Sequence, residues 1–108
     1  MNFNQNELTI IQGHFHNLIL ERASVIPSFM AMEDKALPVI TNETSTDSKD
    51  GSEWYPVPGM YGGFKYWLTE RNGRPLLMTE SWCRVAEGSG QRHEVSIDGY
   101  VCVAGGFV

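Results

Sequence analysis

The chain has 108 residues, of which 42% are apolar, so it is long enough for one domain with its own hydrophobic core. Eight Lys and Arg against thirteen Asp and Glu give a net charge of −5 without any basic stripe, which disfavours nucleic acid and anionic membranes as partners. No apolar run approaches the ~18 residues of a membrane span and no basic-then-apolar leader opens the chain, so we expect a cytoplasmic protein.

Residues 4–23 have the spacing of an amphipathic helix. Asn4 is a suitable N-cap, and Pro27 ends the element. Arg22 continues an apolar stripe that recurs every three or four residues, formed by Leu8, Ile11, Phe15, Leu18 and Ile19. A short second helix is predicted over 29–37, between Ser28 and Pro38.

Residues 41–53, TNETSTDSKDGSE, contain no large apolar side chain. This composition predicts a flexible polar loop. The wider stretch 33–53 holds six acidic residues against two lysines, so most of the net charge belongs to this connection.

From Trp54 onward, apolar and polar residues alternate with a period of two, which is typical of strands. Asn72-Gly73 and Asp98-Gly99 are two-residue hairpin turns, and 88–90 is a three-residue turn. They divide the region into four predicted strands, at 61–71, 74–87, 91–97 and 100–108. The chain is therefore an α+β single domain in which the helical part packs on one face of a four-stranded antiparallel meander.

These turns also predict which residues lie opposite each other. Lys65 lies opposite Glu80 across the first hairpin, and Arg84 lies opposite Glu94 across the second, so that both pairs carry opposite charges. Val85 lies opposite His93 in the same register.

The same register bears on the two cysteines. It places both Cys83 and Cys102 opposite Val95, on the strands that flank it. Two strand spacings separate them by about 10 Å, which is beyond the reach of a disulfide. We therefore expect free thiols.

Both faces of the predicted sheet carry large apolar residues. The face assigned to the helix and the core has Phe64, Tyr66, Leu68, Leu77, Ser81, Cys83, Val85, His93, Val95, Ile97, Tyr100 and Cys102. The other face would be left in water by a monomer with one helix. Because contiguous apolar patches of this size mark interfaces, we predict that it forms a homodimer contact or a ligand surface. The predicted interface residues are Trp67, Met78, Trp82, Arg84, Val101 and Val103.

His93 is the main candidate for catalysis, because a histidine among aromatic side chains can act as a general acid or base. Tyr66 and Tyr100 would support it, and Cys83 would form a thiolate dyad with it. The alternative is a hydrogen-bonded core histidine without a catalytic role. We predict no metal site and no cofactor, because side chains two residues apart on a helix, such as His14 and His16, point about 200° apart.

The segment 54–64, WYPVPGMYGGF, combines aromatic residues with two prolines and three glycines. One interpretation is a rigid aromatic lip over a pocket for a small apolar molecule. The other is a purely structural crossover with a bulge at Gly62-Gly63. The ligand-binding residues of the first interpretation are Trp54, Tyr55, Tyr61, Phe64, Tyr66 and His93.

The motifs PGMYGGF (58–64), ESWCRV (80–85), GSGQRHE (88–94) and GFV (106–108) are similar to those of small uncharacterised bacterial proteins, some of them carried on mobile elements. The order of a helix followed by a curved sheet also resembles the cystatin-like and NTF2-like α+β rolls. The second resemblance implies a fold and no reaction, since no Asp–His or Tyr–Asp pair of the NTF2-like pockets is matched here.

Three functions remain open at this point. The first is a homodimeric binding module, without enzymatic activity, for a small apolar molecule or a protein partner. The second is a small NTF2-like enzyme that uses His93. The third is an inhibitor or immunity-type protein whose acidic segment 33–53 engages a basic partner.

Overall fold

The protein is an α+β domain in which a helix packs on an antiparallel sheet, as the sequence predicts. A computed structural model describes residues 2–25, 38–46, 53–56, 62–83 and 90–105. The elements in chain order are helix α1 (Gln5–Val25) and strands β1 (Glu53–Pro56), β2 (Gly62–Arg71), β3 (Arg74–Cys83), β4 (Gln91–Ser96) and β5 (Gly99–Gly105). The strands lie side by side in this order. The sheet thus contains the four predicted strands and an additional one, β1. The predicted second helix lies outside the described residues.

Helix α1 begins directly after Asn4, whose side-chain Oδ1 accepts a hydrogen bond from the backbone N–H of Asn6 at 2.7 Å. This is the N-cap that the sequence predicts. The predicted stripe is buried along its whole length, namely at Leu8, Ile11, Phe15, Leu18, Ile19 and Arg22. No helix in the described ranges has the combination of length and apolar character needed to cross a membrane.

The first hairpin has the predicted register. Asn72 and Gly73 both have positive φ angles, of 54° and 78°, as a turn between two twisted strands requires. Arg71 therefore pairs with Arg74, and Lys65 pairs with Glu80. Asparagine and glycine tolerate this backbone conformation, so the local sequence determines the pairing of β2 with β3.

The predicted registers of the other two hairpins are wrong. Val95 pairs with Leu77 on β3 and with Tyr100 on β5, instead of lying between the two cysteines. Ile97 and Asp98 form the last turn, and Gly99 is already the first residue of β5. Leu77 and Val95 are both fully buried, so the packing of the core, and not the turn composition, sets the register of β3 with β4.

The cysteine positions change with the register. Cys102 lies opposite His93, and its thiol is free and exposed. Cys83 pairs with Gly62 on β2 and is not a neighbour of Val95. The prediction of a free thiol is confirmed for Cys102, whereas the side chain of Cys83 lies outside the described part of the chain.

Away from the bulge between Arg92 and His93, the predicted faces of the sheet remain correct wherever side chains are described, because each slip of register there is by an even number of residues. The prediction that Cys102 belongs to the core is wrong, because its side chain is exposed. A slip of two residues returns each side chain to the same side of the pleat. The helix side carries the buried residues Tyr66, Leu68, Leu77, Ser81, His93 and Val95. Phe15 of α1 packs against Tyr66 there, with ring centroids 5.7 Å apart.

Two side-chain amides hold the segment 38–46 against the rest of the fold. Gln12 of α1 donates to the Pro38 carbonyl at 3.0 Å and accepts from the Ile40 N–H at 2.7 Å. Asn42 accepts from the Phe3 N–H at 2.6 Å and donates to the Phe3 carbonyl at 3.0 Å. Within the predicted flexible loop, Asn42 is therefore tied to Phe3, which lies just before the helix, while 47–52 lie outside the described residues.

The same segment also reaches the sheet. Thr41 and Thr44 form a turn in which the Thr44 N–H donates to the Thr41 carbonyl at 3.0 Å. The Leu68 N–H then donates to the Ser45 carbonyl at 2.8 Å, so the segment covers part of the outer edge of β2. The polar residues of this segment therefore take part in backbone and side-chain hydrogen bonds within the fold.

Replacing Gln12 by Ala is expected to lower the free energy of unfolding by about 1–3 kcal/mol, because two partly buried backbone groups lose their partner. Urea denaturation measures the loss. Asn17→Ala is the matched control, since Asn17 is an exposed polar residue on the same helix. Equal stabilities for the two variants would show that the Gln12 amide does not hold the segment.

Candidate functional site

A row of polar side chains crosses the helix side of the sheet. Tyr66, Thr79, His93 and Cys102 lie opposite one another on β2, β3, β4 and β5. Thr79 and His93 are buried in this row. The next row towards the helix C-terminus contains the buried Ser81. We call Thr79, Ser81, His93 and Arg22 the inner polar cluster.

Arg22 supplies the positive charge of the inner polar cluster. It is only 5% exposed, because it lies on the same stripe of α1 as the apolar core residues. Its Nε–H donates a hydrogen bond to Oγ of Ser81 at 3.1 Å, from the helix to β3. A charged group that is removed from water in this way requires hydrogen-bonding partners.

His93 is 5% exposed and lies under the C-terminal half of α1. Burial lowers the pKa of His93 below its ordinary value of 6.5, the positive charge of Arg22 lowers it further, and Glu21 acts in the opposite direction. The neutral imidazole is therefore the main form at pH 7, and this form can donate a hydrogen bond from one nitrogen and accept one at the other.

Tyr100 completes the surroundings of His93, and the two rings are T-shaped, with centroids 6.2 Å apart and an interplanar angle of 65°. Its hydroxyl donates a hydrogen bond to the Glu21 carboxylate, which raises the pKa of Tyr100 above its ordinary value. The predicted proximity of His93 and Tyr100 is confirmed. Tyr66 is in the same row but two strand spacings away, which is about 10 Å.

The predicted Cys83–His93 dyad is wrong. His93 lies opposite Thr79 on β3, and Cys83 is four residues further along that strand, at roughly 13 Å. The cysteine that does lie opposite His93 is Cys102. Among the described residues, no group of three His, Cys, Asp or Glu side chains is arranged to hold a metal ion.

The predicted aromatic lip is described only through its backbone. Trp54 and Tyr55 belong to β1 and pair with Lys65 and Phe64 on β2. Tyr61 lies outside the described residues, as do the side chains of Trp54, Tyr55 and Phe64. Residues 53–56 thus form a strand, which neither interpretation of the sequence included. The predicted bulge at Gly62-Gly63 is wrong, because both glycines pair with β3 in regular register.

Ion pairs cover much of the outer face of the sheet, which is the face turned away from α1. Glu80 lies between Lys65 and Arg92, accepting from Arg92 Nη2 at 2.6 Å and lying 4.0 Å from Lys65 Nζ. The predicted Lys65–Glu80 pair is therefore confirmed. These three residues lie opposite one another on β2, β3 and β4.

The predicted Arg84–Glu94 pair is wrong. Glu94 binds Arg71 through two hydrogen bonds, of 2.9 and 2.5 Å, because Glu94 lies opposite Met78 and not opposite Arg84. Arg84 lies outside the described residues. The hydrogen bonds from Arg71 hold the pKa of Glu94 below its ordinary value, although burial opposes this shift.

The predicted interface residues differ in their exposure. Trp67 and Met78 pair with each other at the centre of the outer face and are only half-buried, between the ion pairs. Val101 and Val103 on β5 are 59% and 46% exposed. Among the described residues of the sheet, the large apolar side chains most accessible to a partner are therefore on β5. Only the backbone of Trp82 is described.

Two cavities open at the end of the sheet where the β2–β3 and β4–β5 turns meet. The larger has a volume of about 350 Å³, with Pro75 and Leu76 among its lining residues and Arg71, Arg74 and Asp98 contributing charge. The smaller, of about 200 Å³, adjoins Glu94 and Val101. Neither contains His93, so the cavities and the inner polar cluster are separate features.

The sequence indicates that Arg22, Ser81 and His93 are buried, but not that they form one cluster. The helical spacing placed Arg22 on the buried stripe, and the strand alternation placed Ser81 on the helix side, but no pattern links residues 59 positions apart. The position of the charged Arg22 on an apolar stripe was the one feature of the sequence that indicated a buried polar contact.

Comparisons of the chain with protein-family models, with curated proteins and with solved structures found no match.

The stability of the fold is expected to fall as the pH is lowered from 7 to 5. The unfolded chain protonates His93 near pH 6.5, whereas the folded protein does so only at lower pH, so protons favour the unfolded state in this range. The slope contributed by one histidine is at most about 1.4 kcal/mol per pH unit.

Urea midpoints at pH 7 and pH 5 measure this effect. His93→Gln, which does not titrate, is expected to reduce the pH dependence. Asn17→Ala changes an exposed residue of α1 that has no titratable group and should leave the dependence unchanged. The same pH dependence in the wild type and in His93→Gln would contradict the assignment of the effect to His93.

Proposed function

We propose that the protein is a small interaction module that works as a homodimer, and that β5 is part of the contact between the two copies. The observation that supports this best is the exposure of Val101 and Val103 on a strand at the edge of the sheet. An accessible apolar strand of this kind is a common element of protein interfaces.

The outer face itself suits a small molecule or a second protein, because its charges already have partners. Arg71 is paired with Glu94, and Glu80 is paired with both Arg92 and Lys65. Paired charges are less costly to cover than isolated ones, because each already has a partner when water is removed. Trp67 and Met78 lie beside these pairs and would form the apolar surface for a small molecule or a second protein.

A cytoplasmic location belongs to the same proposal. The thiol of Cys102 is free and exposed, and such thiols persist in reducing compartments.

Light scattering coupled to size exclusion, at low micromolar concentration, tests the homodimer. We expect a mass of about 24 kDa, twice the chain mass of 12.1 kDa. Val103→Glu should shift the mass towards that of the monomer. Ile10→Glu is the matched control, because Ile10 on α1 has the same 46% exposure and lies away from the sheet. A wild-type mass of 12 kDa would refute the homodimer.

A second candidate function is a small enzyme with His93 as general acid or base and Tyr100 in support. The observation that favours it is the neutral, buried imidazole next to a tyrosine whose hydroxyl is held by Glu21. His93→Gln would then abolish turnover while the Tyr100→Phe variant would lower it, with both proteins folded. If His93→Gln lowers the stability and the wild-type protein has no enzymatic activity, His93 is a structural residue.

A further inference from the structure

The two edges of the sheet are built differently. The edge strand β1 has only four residues, begins with Glu53 and ends at Pro56. Past the end of its ladder with β2, the Ser45 carbonyl accepts a hydrogen bond from the Leu68 N–H of β2. Short strands, charges and proline are the features that prevent an edge from pairing with another chain. This edge is therefore protected against further pairing.

The β5 edge lacks these features. Its sequence, GYVCVAG, has seven residues with no charge and no proline, and the side chains of Val101, Cys102 and Val103 are all exposed. Its one irregularity is a bulge opposite the Arg92–His93 step, which leaves the part from Gly99 to Cys102 in regular pairing with β4. Within the described part of the chain, β4 is the only strand that pairs with β5.

We propose that β5 pairs in antiparallel orientation with β5 of a second copy, about a two-fold axis that passes through Val101. The two sheets then continue into one. This inference rests on the proposed homodimer and specifies how its copies meet.

The pairing with β4 determines which backbone groups of β5 are available. Hydrogen-bonded and non-hydrogen-bonded pairs alternate along an antiparallel ladder, and the pair that closes a two-residue turn is hydrogen-bonded. Ser96–Gly99 closes the last turn, so Val101 directs its N–H and C=O towards β4. Tyr100 and Cys102 direct theirs to the free side, where a further strand would bind.

Symmetry then limits the registers. A two-fold axis perpendicular to the sheet keeps the helix side of one copy next to the helix side of the other, so one residue of β5 must lie opposite its own copy. With Val101 on the axis, Tyr100 of each copy lies opposite Cys102 of the other, and each such pair exchanges both backbone hydrogen bonds. All of these residues belong to the regular part of β5.

The side chains fit the same register. Among the described side chains of the sheet, Val101 is the most exposed large apolar residue, at 59%, and it would contact its own copy on the axis. Side chains of a non-hydrogen-bonded pair are the closest in an antiparallel sheet, with Cα atoms about 4.5 Å apart. In this register the dimer contact buries Val101, the residue of β5 whose burial contributes most to the free energy of association.

Disulfide formation tests the register. Val101→Cys in a Cys102→Ser background is expected to cross-link two chains under mild oxidation, since the Cα separation suits a disulfide. Val103→Cys in the same background should not, because the two Val103 positions would be about 13 Å apart. Cross-linking of Val103→Cys would contradict the β5 pairing. So would the absence of cross-linking in both variants, if light scattering shows that they are dimers. Either result would leave the homodimer itself intact.

A proline variant tests the backbone contact. Cys102→Pro removes an N–H that faces the free side, so the ladder with β4 is kept and the dimer is expected to dissociate. Cys102→Ser should remain a dimer. Circular dichroism and thermal melting verify that both variants are folded, and a folded Cys102→Pro dimer would refute the proposal. A monomeric wild type would refute the homodimer itself.

Discussion

Replacing Phe15 by Ala is expected to lower the free energy of unfolding by about 3–5 kcal/mol, the largest effect of any substitution considered. Phe15 is fully buried at the middle of α1 and packs against Tyr66 on β2. Truncation to Ala removes the contact and leaves a cavity between the helix and the sheet. Urea denaturation followed by circular dichroism measures the loss, and the m-value should not change.

Ile10→Ala is the matched control for Phe15→Ala. Ile10 lies on the same helix but is 46% exposed, and Ala has the higher helix propensity, so stability should change by less than about 0.5 kcal/mol. A loss below 1 kcal/mol for Phe15→Ala would contradict the packing of α1 on the sheet. Phe15→Leu, which fills most of the space, should fall between the two variants.

Replacing Arg22 by Met is expected to destabilise the protein by about 1.5–3 kcal/mol, because Oγ of Ser81 loses a charged donor in a buried position. Methionine keeps the length and apolar packing of the arginine stem. The same substitution should raise the pKa of His93, since the positive charge of Arg22 is one of the causes that lower it. Histidine proton chemical shifts, followed against pH, measure this second effect.

Arg22→Lys separates charge from hydrogen bonding. Lysine keeps the positive charge near His93 but lacks the planar guanidinium that places Nε–H on Ser81. We expect a loss of stability with a pKa of His93 closer to that of the wild type than in Arg22→Met. An unchanged pKa of His93 in Arg22→Met would show that the two side chains do not interact.

The helix and the first hairpin were predictable because their determinants are local. The cap at Asn4 and the spacing from Leu8 to Arg22 are properties of one segment, and they define both the start of α1 and its buried side. The turn at Asn72-Gly73 likewise fixes the pairing of β2 with β3. No contact across the fold is needed for either prediction.

The later registers were not predictable from turn composition. Asp98-Gly99 has the composition of a two-residue turn, but the turn uses Ile97 and Asp98, with Gly99 at a φ of 128° in the first position of β5. The alternative turn would place Cys102, instead of Tyr100, opposite Val95. Tyr100 packs against the core and against His93, and this packing outweighs a local turn preference.

The candidate site was predictable only in its parts. Alternation along β4 indicated that His93 faces the helix, and the stripe on α1 indicated that Arg22 is buried. The contact between Arg22 and Ser81 depends on how the helix crosses the sheet. The periodicity of the sequence contains no information about this crossing. For the same reason, Arg71 was not recognised as the partner of Glu94, which lies two strands away.

The order of the elements along the chain has a consequence for synthesis on the ribosome. The helix precedes the sheet, so its apolar side is made before the strands that cover it, and Val95 of β4 belongs to the same buried cluster as Leu8 and Phe15. Hairpins between neighbouring strands can form as the chain emerges, whereas the helix must wait for β3, β4 and β5. A nascent chain that stops before β4 therefore exposes the helix stripe and is a substrate for chaperones or proteases.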